Sequence, residues 1–330
     1  MLNVLLYIGV LIGSFIILAK SADLFVDSSV DIAGILKIPK MVIGIVFVGF
    51  ATTAPEFAVS VQSAYLGHPE IALGNAVGSV ICDDGLAMAL AAIIAPTPIL
   101  IDRKILTKAG TFLISTYIIT YLMASNGILA RPEGMILVLL LAGYIYFVLI
   151  TAKRERRENA IREGTVAKDK LASCSANPEK SLKRHLLYFM FGLAGVVISS
   201  RLTVWSCLNI AKSFGIPEVV IGLTIIAIGT SLPEISTCIV AARKGEGEIA
   251  AGDIIGADIL NILWIIGVSS MVNPIYVSTR IIHFMFPWMF LIVGTMLLSM
   301  RIHYRIGKTK GIILLSLYAI YLFMTIKFFY

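Results

Sequence analysis

Charge is what this chain has least of. Only 14% of its 330 residues are Asp, Glu, Lys or Arg, whereas 58% are hydrophobic. An average soluble domain carries roughly 25% charged residues. That scarcity excludes a soluble globular enzyme and a disordered chain, and the composition fits no fibrous repeat. Cysteine is rarer still: Cys82, Cys174, Cys207 and Cys238 show no paired spacing, so no disulfide framework or zinc signature is present. The four histidines, His68, His185, His283 and His303, never stand four apart, which excludes a helical pair of metal ligands. The first apolar run lacks a basic start and a small-residue cleavage site, so no cleavable leader is expected.

What is present is apolar sequence in long runs, with a mean hydropathy of +0.93. A helix needs about 20 such residues to cross the hydrocarbon core. Short polar breaks divide the chain into ten predicted spans, at 3–33, 39–65, 70–97, 106–125, 133–152, 183–213, 217–243, 248–272, 281–300 and 310–329. The fold class expected is an all-α, multi-pass membrane protein. The first and sixth spans are long enough to tilt strongly.

The one long polar segment, 153–182, reads as a solvated linker. Lys and Arg cluster there and in every second loop: 21 basic residues fall on the side of this linker and four on the other, with Lys20 and Arg201 inside spans. The excess of basic residues marks the cytoplasmic side, which puts the linker in the cytoplasm and both termini outside. In a membrane protein the net charge of +7 is this orientation signal and not a nucleic-acid footprint.

The chain also repeats itself. At an offset of 178 residues, 38–83 aligns without a gap on 216–261, with 16 identities in 46 positions. The shared residues include Ile38-Pro39 with Ile216-Pro217, Thr52 with Thr230, Pro55-Glu56 with Pro233-Glu234, and Gly74 and Gly78 with Gly252 and Gly256. Chance likeness between apolar helices explains shared Ile and Ala, but not Pro-Glu and Gly at one fixed offset. Each half carries five spans, and an odd number turns the second half over. The expected organisation is therefore two inverted five-helix repeats, 1–152 and 183–330, joined by the linker 153–182. Such repeats belong to transporters whose site lies near the bilayer midplane between them.

Acids deep in apolar spans are costly and mark functional sites by default. Glu56 and Glu234 occupy equivalent places, each after a proline that deprives a carbonyl one turn back of its donor. Thr52 with Glu56, Thr230 with Glu234, and Ser79 with Asp83 stand four apart and share helix faces, as do Ala257 and Asn261. Hydroxyl, carboxylate, amide and freed carbonyl oxygens suit hard cations such as Ca²⁺ and, by the same logic, Na⁺. Asp84, Asp253 and Asp258 are balanced between facing a partner helix or water and joining the site. Asp23, Asp27 and Asp31 form a stripe that reads as a solvated face. The glycines at 74, 78, 252 and 256 allow close helix approach.

These residues resemble the cation/Ca²⁺ exchanger superfamily, in its prokaryotic sodium/calcium exchanger branch. Gly229-Thr230-Ser231-Leu232-Pro233-Glu234 matches that family's Gly-Thr-Ser-x-Pro-Glu in full, and Ala51-Thr52-Thr53-Ala54-Pro55-Glu56 matches it with two mild changes. Gly74-Asn75-Ala76-Val77-Gly78-Ser79-Val80-Ile81-Cys82-Asp83 and the segment 252–261 match its second motif. The resemblance implies Na⁺-driven Ca²⁺ antiport across the plasma membrane by alternating access, with the first and sixth helices sliding over an eight-helix core. It implies Glu56 and Glu234 as ion ligands, with oxygens of Thr52, Thr53, Ser79, Thr230 and Ser231 and backbone carbonyls near Gly49 and Ala227. Asp83, Asn261 and Asp258 complete the candidate set. It also implies a monomer, no resident cofactor, and Ca²⁺ and Na⁺ as transient cargo. Three departures stand out. Ala257 takes the place of a serine. Asp83 and Asn261 mirror the Asn-then-Asp order expected of prokaryotic relatives. Asp84 and Asp258 are extra acids, which keeps H⁺, or another divalent cation, open as an alternative. An intramembrane hydrolase is disfavoured, since there is no His-Glu-x-x-His, and so is a channel.

Overall fold

The structure, a computed structural model, describes residues 2–166, 178–214, 227–279 and 281–329. It is almost wholly helical. Helix α1 (Leu2–Leu36) is followed by α2 (Lys40–Tyr65), α3 (Pro69–Ile94), α4 (Arg103–Ala124) and α5 (Arg131–Val166). The second half holds α6 (Pro178–Ser213), α7 (Leu232–Arg243), α8 (Gly247–Val272), α9 (Ile281–Tyr304) and α10 (Lys308–Phe329). Among the described residues, nine of these are long and apolar enough to cross a membrane. The seventh predicted span is described only from Ala227 onward, as a short turn (Ala227–Thr230) leading into α7.

The boundaries follow local chemistry. Pro69 opens α3, where its missing N–H costs nothing. Asp102 caps α4, accepting a hydrogen bond from the Ile105 N–H at 2.9 Å. Ala95 turns extended ahead of Pro96, so α3 stops at Ile94, short of the predicted 97. Gly67 and Gly245 sit at equivalent places after α2 and α7, both at positive φ (95° and 77°). Only glycine adopts that conformation without strain, and it folds each helix back onto the next.

Several pairings obey an inverted two-fold. Two-residue strands β1 (Ile99–Leu100) and β4 (Arg305–Ile306) pair antiparallel, as do β2 (Ile128–Leu129) and β3 (Ile275–Tyr276). Each pair takes one strand from each half. Helices α1 and α6 run antiparallel against each other: Ser14 and Thr203 hydroxyls meet at 2.8 Å, and the Phe25 and Phe189 rings at 4.6 Å. Gly192 lies against Phe25, so that a Cβ there would come 2.7 Å from the Phe25 nitrogen. Positions 14 and 192, like 25 and 203, are separated by the repeat offset. The two contacts are thus one contact seen twice.

The core is centred on α3 and α8. Helix α8 is buried along nearly its whole length, whereas α1 is mostly bare toward the surroundings. Gly252 and Gly256 make this possible: a Cβ on Gly252 would sit 2.3 Å from the Met41 carbonyl, and one on Gly256 2.5 Å from that of Ile45. A Cβ on their repeat mates Gly74 and Gly78 would have nothing within 4 Å among the described residues.

Candidate functional site

Three π-helical turns interrupt the core helices: Gly44–Val48 in α2, Asp83–Ala87 in α3 and Asn261–Ile266 in α8. The last two begin at repeat-equivalent positions, on the very residues singled out as candidate ligands. A π turn inserts a residue into the hydrogen-bond ladder, and such turns concentrate at functional sites. The prolines act differently in the two halves. Helix α2 runs on through Pro55, with its distortion about two to three turns earlier at the π turn. In the second half the helix breaks outright at Ser231, whose backbone leaves the helical region (φ −84°, ψ 10°), and Pro233 opens α7.

These distortions gather the candidate oxygens in the interior. Thr52, Thr53, Glu56, Ser79, Asp83, Ser231, Glu234 and Asn261 are all at most 2% exposed. Glu56 and Glu234 face each other closely enough to interact electrostatically, and Asp83 interacts with both. Ser231 lies against Asp83. Thr53 Oγ1, both Glu56 oxygens, Ser79 Oγ, both Asp83 oxygens, Ser231 Oγ, Glu234 Oε2 and Asn261 Oδ1 find no hydrogen-bond partner among the described residues. Buried polar atoms are normally satisfied. A converging set that is not is the arrangement expected of atoms reserved for an ion. Thr230 and Ala227 lie on the short turn before Ser231, and Gly49 opens the stretch of α2 that carries Thr52. The Gly49 carbonyl accepts a hydrogen bond from the Thr52 hydroxyl at 3.2 Å, and the Val48 carbonyl one at 3.1 Å.

Asp253 belongs to this centre, which sequence reasoning left undecided. Its carboxylate accepts from Thr52 Oγ1 at 3.1 Å across the repeat interface and from Thr237 Oγ1 at 2.9 Å. Its repeat mate Asn75 instead donates to Ser60 at 2.9 Å within its own half. Asp253 thus positions the Thr52 hydroxyl; its own oxygens already have partners. Asp258, on α8, is fully buried, and neither of its carboxylate oxygens has a hydrogen-bond partner among the described residues. Among the described residues no three Asp, Glu, His or Cys side chains close on a point tightly enough to hold a metal by themselves. An ion here draws on hydroxyl and backbone oxygens as well as carboxylates, which suits a hard cation in transit better than a resident metal.

Away from the core, the acidic stripe on α1 is engaged rather than merely solvated. Lys244, in the turn after α7, reaches Asp27 at 2.8 Å and Asp23 at 3.2 Å. Partial burial works against its charge, but the hydrogen bonds to Asp27 and Asp23 outweigh it and hold the ammonium above the usual lysine range. Asp31 meets His185 of α6 at 3.0 Å. Cys82, Cys207 and Cys238 are free thiols; Cys174 lies outside the described residues.

The inverted repeats, the broken helices and the buried oxygens between them define a multi-pass membrane transporter that exchanges cations, Ca²⁺ among them. Residues 6–150 and 184–327 match the model of the sodium/calcium exchanger protein family, and the chain belongs to that family. It is a transporter and not an enzyme. Sodium/calcium exchanger MaX1 of Methanosarcina acetivorans is 30% identical over 95% of this chain and 96% of its own length. Inner membrane protein YrbG of Escherichia coli (strain K12) is 30% identical over 82% of this chain and 81% of its own. A solved structure of the sodium–calcium exchanger NCX_Mj, soaked with Na⁺ and Sr²⁺, superposes with a TM-score of 0.79 at 27% identity, covering 96% of this chain and 97% of that one.

Proposed function

We propose that this protein exchanges Na⁺ for Ca²⁺ by alternating access, with Glu56 and Glu234 as the shared ligands of both ions. One observation carries the reading: the buried oxygens of Glu56, Asp83, Ser79 and Thr53 from one half, and Glu234 Oε2, Ser231 Oγ and Asn261 Oδ1 from the other, have no hydrogen-bond partner among the described residues. Backbone carbonyls near Gly49 and Ala227, and the hydroxyls of Thr52 and Thr230, complete the ligand set. Na⁺ as the coupling ion is supported by the intact Thr230-Ser231-x-Pro233-Glu234 motif and by MaX1 being a sodium/calcium exchanger.

In this reading the two halves, 1–152 and 183–330, form the site, and the linker 153–182 is cytoplasmic. Both termini face outward from the plasma membrane, and the monomer is the working unit. Helices α1 and α6 pack closely on each other and slide as a pair over the other eight, opening the site to one side and then the other. Proton coupling is the second reading. It is favoured by Ala257, which removes a hydroxyl beside Gly49, since an ion site poorer in neutral oxygens suits Na⁺ less well.

Proteoliposomes loaded with Na⁺ and diluted into Na⁺-free buffer test this directly. Uptake of ⁴⁵Ca²⁺ is expected to require the outward Na⁺ gradient and to vanish in Glu56→Gln. Uptake that follows only a pH gradient would instead make H⁺ the coupling ion.

A further inference from the structure

Asp253 does more than hold one hydroxyl. It sits on α8, 1% exposed, and its two carboxylate oxygens reach different helices. Oδ1 meets Thr52 Oγ1 of α2 at 3.1 Å, and Oδ2 meets Thr237 Oγ1 of α7 at 2.9 Å. Thr52 stands one turn before Glu56 on α2, and Thr237 follows Glu234 by three residues on α7. The Thr237 hydroxyl also lies 3.0 Å from the carbonyls of Pro233 and Glu234, so this arm ends on the backbone of the glutamate itself. The two helices that carry the glutamates are thus joined through one side chain of a third.

The base of this bridge has no slack. A Cβ on Gly44 would come 2.6 Å from the Ile249 carbonyl and 2.8 Å from the Asp253 nitrogen, so α8 rests on the backbone of α2 at that level. Close-packed interiors of this kind transmit strain and do not absorb it. Nor does the bridge depend on the charge of Asp253. As a carboxylate it accepts from both hydroxyls. With a proton on Oδ2 it donates to Thr237, whose own proton then goes to the Pro233 or Glu234 carbonyl, while Oδ1 still accepts from Thr52. The Cys238 thiol, at 3.6 Å from Oδ2, adds a weaker contact.

The repeat does not supply this bridge twice. Offset by 178, Asp253 falls on Asn75, Cys238 on Ser60 and Thr237 on Val59. Asn75 and Ser60 reproduce the Asp253–Cys238 contact, at 2.9 Å. Val59, however, has no hydroxyl to act as the second arm. Duplication explains the two glutamates but not what sets the distance between them.

Selectivity among hard cations is a matter of cavity size, ligand number and flexibility. We infer that Asp253 is a positioning residue that sets which divalent ion the centre prefers, by clamping α2 to α7 and so fixing the spacing of Glu56 and Glu234. The inference rests on the exchange reading in taking those glutamates as the ion ligands. Removing the clamp also leaves the Thr52 proton only the Val48 and Gly49 carbonyls as acceptors, at 3.1 and 3.2 Å, which withdraws a backbone oxygen from the ion.

The test is equilibrium binding of ⁴⁵Ca²⁺ to the purified full-length protein in detergent, competed with Ba²⁺. The charge of Asp253 acts alike on two divalent ions, so the ratio of their affinities reports spacing. Asp253→Ala is expected to lower the preference for Ca²⁺ over the larger Ba²⁺ roughly 2- to 10-fold, the effect of one or two lost hydrogen bonds. Asp253→Asn keeps the Oδ1 acceptor for Thr52 and offers an amide donor to Thr237, so it is expected to hold the wild-type ratio. An unchanged ratio in Asp253→Ala overturns the inference, as does an equal loss in Asp253→Asn, which would make charge and not the bridge responsible. If Asp253→Ala cannot be purified folded, Thr237→Val removes the α7 arm alone and carries the same expectation. Wild-type protein that binds Ca²⁺ yet shows no Na⁺-driven uptake in proteoliposomes would sink the exchange reading and leave the ratio to decide the clamp; wild type that binds no Ca²⁺ would sink both.

Discussion

At the scale of the residue, duplication did most of the work. Glu56 and Glu234 were legible because each sits after a proline at the same offset, and the structure brings them together. Thr53, Ser79, Ser231 and Asn261 were reachable from four-residue spacing along the same helices. Asp253 was not, because its role depends on Thr52 arriving from the other repeat, and no spacing within one helix encodes that. The mirrored order of Asp83 and Asn261 leads to a prediction. Both residues open π turns at equivalent places, so exchanging them preserves the number of carboxylates in matching geometry. Asp83→Asn alone is expected to abolish Ca²⁺ uptake, and Asp83→Asn/Asn261→Asp to restore it. A double variant that folds, as judged by a monodisperse elution profile, yet fails to transport would refute the equivalence of the two positions.

At the scale of the element, span existence was plain and span interiors were not. Eight of the ten apolar runs gave their helices to within about five residues, because the bilayer forces backbone groups to pair within each segment; α5 instead runs on to Val166, into the segment read as linker, and the seventh span is described only from Ala227. The π turns left no trace, since a shift in hydrogen-bond register is not the property of any residue type. The prolines pointed to broken backbone in both halves; Ser231 breaks, whereas α2 carries its distortion at Gly44–Val48 and stays helical through Pro55. The glycines were read as permitting close approach, and for Gly252 and Gly256 the contacts are with backbone, which cannot yield as a side chain can. Gly252→Ala is therefore expected to cost about 1–3 kcal/mol, the range for overpacking a tight core. It is expected to lower the thermal midpoint of the purified protein, while Gly9→Ala, on α1 with nothing near its missing Cβ, leaves the midpoint in place.

At the scale of the molecule, the charged contacts beneath α1 bear on movement. Lys244 ties the turn after α7 to Asp23 and Asp27, and if α1 and α6 slide together this tie has to part in each cycle. His185 and Asp31 join α6 to α1 and would travel with the pair. Asp23 and Asp27 are more than half exposed, and exposed ion pairs contribute at most about 1 kcal/mol each. Lys244→Ala is thus expected to bias the conformational balance by a few-fold, not to lock it. Its mark is salt: added KCl screens exposed pairs, so apparent Ca²⁺ affinity is expected to drift with ionic strength in wild type and to stay flat in the variant. Identical salt responses would dismiss the tie. Because the ammonium is held above the usual lysine range, its charge survives throughout neutral pH and is lost only in strong alkali.

The two short strand pairs carry a consequence for how the chain can be divided. Neither half owns a complete pair: β1 needs β4, and β2 needs β3. A half made alone would leave two backbone edges and one flank of α3 or α8 uncovered. Severing the chain within the linker should therefore yield fragments that are useless singly and complementary together, each acting as the template on which the other finishes folding.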